Sequence, residues 1–144
     1  MKRLLEKALV IQEREFGKEH DEVAKTLNNL ACAYGHLGDY REKKRLLEKA
    51  LVILEREFGM EHAAVAKTLL NNLAGACRAL GDHQEEKRLL ERALRIFVAT
   101  VGSDHPHAEA VMANLVQSHR ELGTPEDELA SQIILTALIF RHGN

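Results

Sequence analysis

The sequence predicts an all-α protein, an α-solenoid of antiparallel helix pairs stacked side by side. Three observations carry that prediction. The decapeptide KRLLEKALVI starts at Lys2 and again at Lys44, then returns as KRLLERALRI at Lys87, spacings of 42 and 43 residues. Glycines keep the same beat at Gly17, Gly59 and Gly102, and at Gly38, Gly81 and Gly123. Apolar residues recur at three- and four-residue steps, one face of a helix, and no alternating strand-like run interrupts them. Repeats of this length, each a pair of helices, cannot bury an apolar face alone and stack into one continuous core.

The elements follow in chain order. Residues 1–18 form an unpaired N-terminal helix that begins at the repeated decapeptide. Residues 19–59 form the first unit. Val23, Leu27, Leu30, Ala31, Tyr34 and Leu37 mark the apolar face of its first helix, and Leu46, Leu47, Ala50, Leu51, Leu54 and Phe58 that of its second. GDY at 38–40 is the turn between them, because a glycine past the last helical residue accepts the left-handed conformation that closes a helix. Residues 60–102 repeat this plan. Residues 103–144 form a third unit, opened by SDHPH with Pro106 at a first helical position. Its segment GTPEDELASQIILTALIF shifts the apolar positions, as a terminal capping helix does. About seven helices result.

One residue disturbs the copy. KTLNNLAC at 25–32 becomes KTLLNNLAG at 67–75. His62, Val65 and Thr68 lie 42 residues after His20, Val23 and Thr26, whereas Leu73, Leu80 and Gly81 lie 43 after Leu30, Leu37 and Gly38. The extra leucine, Leu69 or Leu70, therefore falls inside a helix. One added residue in a regular helix turns everything beyond it by about 100°. A single wide turn would absorb it and leave Val65 and Leu73 both facing inward.

Residues 2–27 and 44–69 differ only at Gln12/Leu54, Lys18/Met60, Asp21/Ala63 and Glu22/Ala64. That likeness reads as a recent duplication. The third unit has drifted and keeps mainly packing and turn positions, among them Ala93, Leu94, Ile96, Asn114, Leu115 and Leu122.

HDEVAKTLNNLACAYGHLGDYRE followed by LLEKAL resembles the tetratricopeptide repeat, in particular the 42-residue variety of kinesin light chains. The resemblance covers essentially the whole chain. Leu27, Leu30, Ala31, Tyr34, Gly38, Tyr40, Leu47 and Ala50 match its signature packing positions. It implies a binding scaffold, not an enzyme, in which first helices line a concave groove that holds an extended peptide or helix of a partner protein. The groove residues it implies are Lys25, Asn28, Cys32, Gly35 and His36 in the first unit. In the second they are Lys67, Asn71, Gly75, Arg78 and Ala79, and in the third Ala110, Ala113, Gln117, Arg120 and Glu121. Lys25, Lys67, Arg78 and Arg120 against Glu121 make that groove weakly basic, suited to an acidic peptide or a carboxylate. Asn29, Asn72 and Asn114, one step beyond, are expected to bond backbone between helices. Where the family prefers a small alanine, this chain has Lys43 and Glu86, whose side chains are expected to reach outward.

Composition limits the alternatives. A net charge of −2 gives no global field for nucleic acid or anionic lipid. No apolar run reaches membrane-spanning length, and Glu6 and Lys7 cut short any signal-like N-terminus. Cys32 and Cys77 are too few for a disulfide framework, so reduced thiols and a cytoplasmic location are expected. His20, His62 and His105 recur once per unit and suit helix capping or packing better than metal binding. No phosphate loop or nucleophile elbow is present, so no cofactor is expected and an enzyme is the remote alternative. The nearer alternative is a structural segment that self-associates through its ends. Leu4, Leu5, Ala8, Leu9 and Val10 at one end, and Ile133, Ile134, Leu138 and Ile139 at the other, lack a full set of neighbours.

Overall fold

The computed structural model describes residues 2–17, 21–67, 72–102, 104–125 and 128. Seven helices run through them: α1 (Lys2–Phe16), α2 (Asp21–His36), α3 (Tyr40–Phe58), α4 (Ala63–Lys67), α5 (Ala74–Ala79), α6 (His83–Thr100) and α7 (Pro106–Glu121). No strand occurs among the described residues. The helices alternate as expected, with α2, α4–α5 and α7 as first helices and α1, α3 and α6 as second helices. The divergent C-terminal helix, with Ile133, Ile134, Leu138 and Ile139, lies outside the described residues, as does His20.

Local chemistry sets each boundary. Asp39 caps α3 by accepting from the Glu42 amide at 3.2 Å, and Asp82 does the same for α6 with the Glu85 amide. A short polar acceptor there satisfies an amide that the helix itself leaves open. The preceding turn is closed by Gly38 at φ +80°, and the amide of Asp39 reaches back to the Tyr34 carbonyl at 2.9 Å. The same bonds recur at Asp82 to Cys77 and at Thr124 to His119, so three turns share one geometry. His62 and His105 act as caps: Nδ1 of each accepts the amide two residues on, from Ala64 at 3.0 Å and His107 at 3.1 Å. Pro106 opens α7, where a missing amide hydrogen costs nothing.

α2 packs between α1 and α3, α4 and α5 pack against α3 and α6, and α6 packs against α7. The core is continuous across these contacts. Val23, Leu27, Leu30, Leu46, Leu47, Val65, Leu73, Leu90, Leu94 and Phe97 are all buried in it. Each such side chain contributes about 1.5–3 kcal/mol relative to exposure. Some expected members stay outside: Leu37, Tyr40 and Phe58 are exposed, whereas Ile53 is buried in α3. Leu37 sits in the turn after α2, where the helical face no longer applies.

The extra residue in the second unit is absorbed as a π-type turn at Asn72–Leu73, between α4 and α5. Val65 and Leu73 are both buried. Leu69 and Leu70, where the extra residue is expected, fall outside the described residues; the turn at 72–73 keeps Val65 and Leu73 on one face.

Two side chains at the helix crossings depart from expectation. Glu86 does not reach outward; it is buried, with Oε1 3.1 Å from His83 Nδ1 and Oε2 3.6 Å from Arg78 Nε. Lys43 is half-buried and lies across Gly35, where an added Cβ would stand 2.9 Å from its Cδ. In both cases the side chain stays at the crossing because its partner on the first helix leaves room or carries the opposite charge.

Candidate groove of the first helices

The candidate surface is the row of residues along α2, α4–α5 and α7. Lys25, His36, Lys67, Gly75, Arg78, Ala79 and Arg120 are exposed or half-exposed, as are Ala110, Ala113 and Glu121. Asn28, Cys32, Gly35 and Gln117 are half-buried, and Asn71 lies outside the described residues. These side chains stand where their positions on amphipathic helices put them, on the faces turned from the core.

One contact joins two first helices directly. Asn72 Nδ2 donates to Asn28 Oδ1 at 2.9 Å. The backbone bond expected of Asn72 gives way to a side-chain partner, and Asn29 and Asn114, expected to bond backbone likewise, are exposed.

The cations are not equally available. Lys25 pairs with Glu22 at 3.1 Å, and Arg78 reaches the buried Glu86. Lys67 and Arg120 form no ion pair among the described residues. Gln117 is held by Glu121 at 3.1 Å. The exposed pairs contribute little, of order 0–1 kcal/mol. The basic character of the row therefore rests on Lys67 and Arg120, and Arg78 is in part structural.

Between α1 and α2 the polar contacts are of a different kind. Thr26 donates to Gln12, the Tyr34 hydroxyl donates to Glu6 at 2.8 Å, and Lys2 stands 4.7 Å over the Tyr34 ring. The bond to Glu6 holds the Tyr34 phenol above its ordinary pKa. Glu42 is held below the usual carboxylate range by Arg45, whose Nε donates to it at 2.9 Å. Burial pushes the Cys77 thiol up to about 11, so it stays protonated and is a poor nucleophile at neutral pH. Among the described residues no group of three or more His, Cys, Asp or Glu is placed to hold a metal ion. None of the described helices is long and apolar enough to cross a membrane.

Two family models, each described as Tetratricopeptide repeat, match residues 23–64 and 65–131, an unbroken run over most of the chain. The chain belongs to the tetratricopeptide repeat family. Among solved structures it is similar to a protein of Podosopora anserina described as a putative kinesin light chain with nearly identical TPR-like repeats. The identity is 29%, the TM-score 0.75, and the match covers 94% of this chain and 64% of that one. A single-substitution variant of that protein matches equally. The chain is also similar to BtubC (BKLC) from P. vanneervenii, at 25% identity and TM-score 0.80, over 99% of this chain and 56% of that one. The chain thus spans less than two thirds of either protein's length. A search of the curated proteins found no match.

The alternation of first and second helices in this tetratricopeptide chain was legible from the repeat. The buried Glu86 was not, although a signal existed: Arg78 and Glu86 are eight residues apart across a turn, and in the third unit Arg120 and Glu128 keep that spacing.

Proposed function

We propose that the chain is a protein–protein interaction scaffold whose first helices hold an extended peptide or helix of a partner, with acidic side chains favoured. Tetratricopeptide repeats are in general interaction modules, and nothing in this chain's composition suggests catalysis. The observation that carries the reading is the polar row Lys25, Asn28, His36, Lys67, Arg78 and Arg120, bridged across two units by Asn28 and Asn72. Lys67 and Arg120 supply the charge, and Asn28, Cys32 and Gln117 supply donors, acceptors and a small contact between them. The setting is cytoplasmic, where Cys32 and Cys77 stay reduced.

The test is an array of acidic peptides probed with the parent chain and with the Lys67→Glu and Arg120→Glu variants. Binding should weaken several-fold in each variant and fall with added salt, because the contacts are partly exposed charges. Unchanged binding in both variants refutes the acidic-ligand reading. Arg78 is a poor probe, since reversing it also strands Glu86.

A second reading is favoured by the exposed Leu4 and Ile11 of α1: self-association through the end of the solenoid. Sedimentation of the parent against a Leu4→Lys, Ile11→Lys double variant decides it. A concentration-dependent rise in mass that the variant lacks supports it, and a strict monomer in both rejects it.

A further inference from the structure

One position of the first helices changes character from unit to unit. Tyr34 in α2 corresponds to Cys77 in α5, 43 residues on, and to His119 in α7, 42 further. Around Tyr34 the ring is held from outside by α1: Glu6 accepts from its hydroxyl and Lys2 covers its face. Both partners are repeated in the next unit, as Glu48 and Lys44, each 42 residues later. There they lie 3.9 Å from each other on α3, and the first helix offers them a thiol instead of a phenol. At His119 the same two positions, Lys87 and Glu91, act electrostatically on a buried ring.

Two of the three copies thus carry a ring of the chain's own at this position. At the copy in the second unit, a cavity of about 480 Å³ lies between α3 and α6. Lys44, Glu48 and Leu51 line one side, and Leu89 with Glu85, Arg88, Glu91, Arg92 and Arg95 the other; Leu73 and the buried Cys77 lie at the floor. Its size is that of small-ligand sites, roughly 300–1,000 Å³. Lys44 and Glu48 beside its leucines repeat the pair that the molecule sets against Tyr34, and α6 adds further charge at the rim.

We propose that this cavity is a second binding site, independent of the first-helix row, and that it takes a phenol ring from outside the chain, as a tyrosyl side chain or a free phenol. Glu48 accepts the hydroxyl hydrogen and Lys44 stands over the ring face, as Glu6 and Lys2 do for Tyr34. Leu51, Leu73 and Leu89 cover the ring.

The parent chain, with leucine methyls labelled, is titrated with p-cresol, with toluene and with a Gly-Tyr-Gly peptide blocked at both ends. For p-cresol a dissociation constant on the order of 1 mM is expected from its size. Methyl shifts should be confined to Leu51, Leu73 and Leu89. Toluene should bind several-fold more weakly. Glu48→Ala should abolish that preference, and Lys44→Met should weaken both ligands alike. Cys77→Tyr places a ring from within, so it should block p-cresol. Tighter binding of the peptide supports a tyrosyl side chain as the source, and exclusion of the peptide with p-cresol still bound supports a small phenol. The proposal is overturned if p-cresol does not saturate by about 10 mM, if shifts scatter over the surface, or if toluene binds equally and Glu48→Ala changes nothing.

Discussion

The segments Lys2–Ile11 and Lys44–Ile53 have the same ten residues and different fates. Leu4 is 69% exposed and Leu46 2%; Ile11 is 58% exposed and Ile53 5%. Val10 and Val52 are alike at 54%. The difference is confined to one face. α3 has first helices on both flanks, α2 on one side and α4–α5 on the other, whereas among the described residues α1 packs mainly against α2. Residues that meet the following first helix, such as Leu5 and Leu9, pack against the core in both settings. Residues that meet a preceding one are covered only in α3. Burial in a solenoid is therefore a property of the neighbour, not of the segment.

The strongest way to break this comparison is to truncate matching leucines. Leu46→Ala should cost about 2–5 kcal/mol, because it removes a buried side chain and leaves a cavity. Leu4→Ala should cost under about 0.5 kcal/mol. Urea denaturation of the two variants measures both, and similar losses would mean that the face of α1 is covered in solution.

A second pair sharpens the contrast between units. Arg78→Ala leaves Glu86 buried with His83 as its remaining partner and should cost about 1–2 kcal/mol, less than a fully buried pair because Arg78 is partly exposed. Lys43→Ala, at the position matching Glu86, should change stability by no more than about 0.5 kcal/mol. Thermal denaturation at low and high salt separates the two.

The ring position gives a smaller, pH-dependent effect. Burial, reinforced by Lys87, holds the His119 pKa below its ordinary value. The unfolded chain therefore binds that proton more readily than the folded one. Stability from His119 is present above the ordinary histidine pKa and is lost as pH falls through it towards the lower folded value. The parent's melting temperature should drop more steeply between about pH 7 and pH 5.5 than that of His119→Gln, and parallel curves would exclude this role. Tyr34, at the matching position, should show no such slope in that range when changed to Phe.

The smallest effect is expected at the wide turn. Deleting Leu70 restores the seven-residue spacing that separates Val23 from Leu30, so Val65 and Leu73 can share a face of a regular helix. Stability should change by less than about 1 kcal/mol. Hydrogen exchange at Asn72 and Leu73 should report the loss of the π-type turn. A loss of several kcal/mol would show that the turn is required for packing.

The repeat alone determined the helix order, the turns and most of the core. Short-range chemistry fixes these: Asp39 and Asp82 cap whatever helix follows them, and Gly38 and Gly81 end the one before. The spacing of Val65 and Leu73 required a wide turn between α4 and α5, because a helix has one period and an inserted residue must be absorbed somewhere. The candidate groove was legible only as a face. Which of its cations are available depends on partners that sequence distance hides, Glu22 for Lys25 and Glu86 for Arg78. Tertiary structure alone decided that Glu86 is buried, that Asn72 meets Asn28 and that a cavity lies beside Cys77. Each depends on contacts between helices, or across the turn that joins them, whose positions are set by the packing of the whole stack. Two copies of one decapeptide end in different surroundings for the same reason: the segment sets the shape of its surface, and the neighbouring helix decides whether water reaches it.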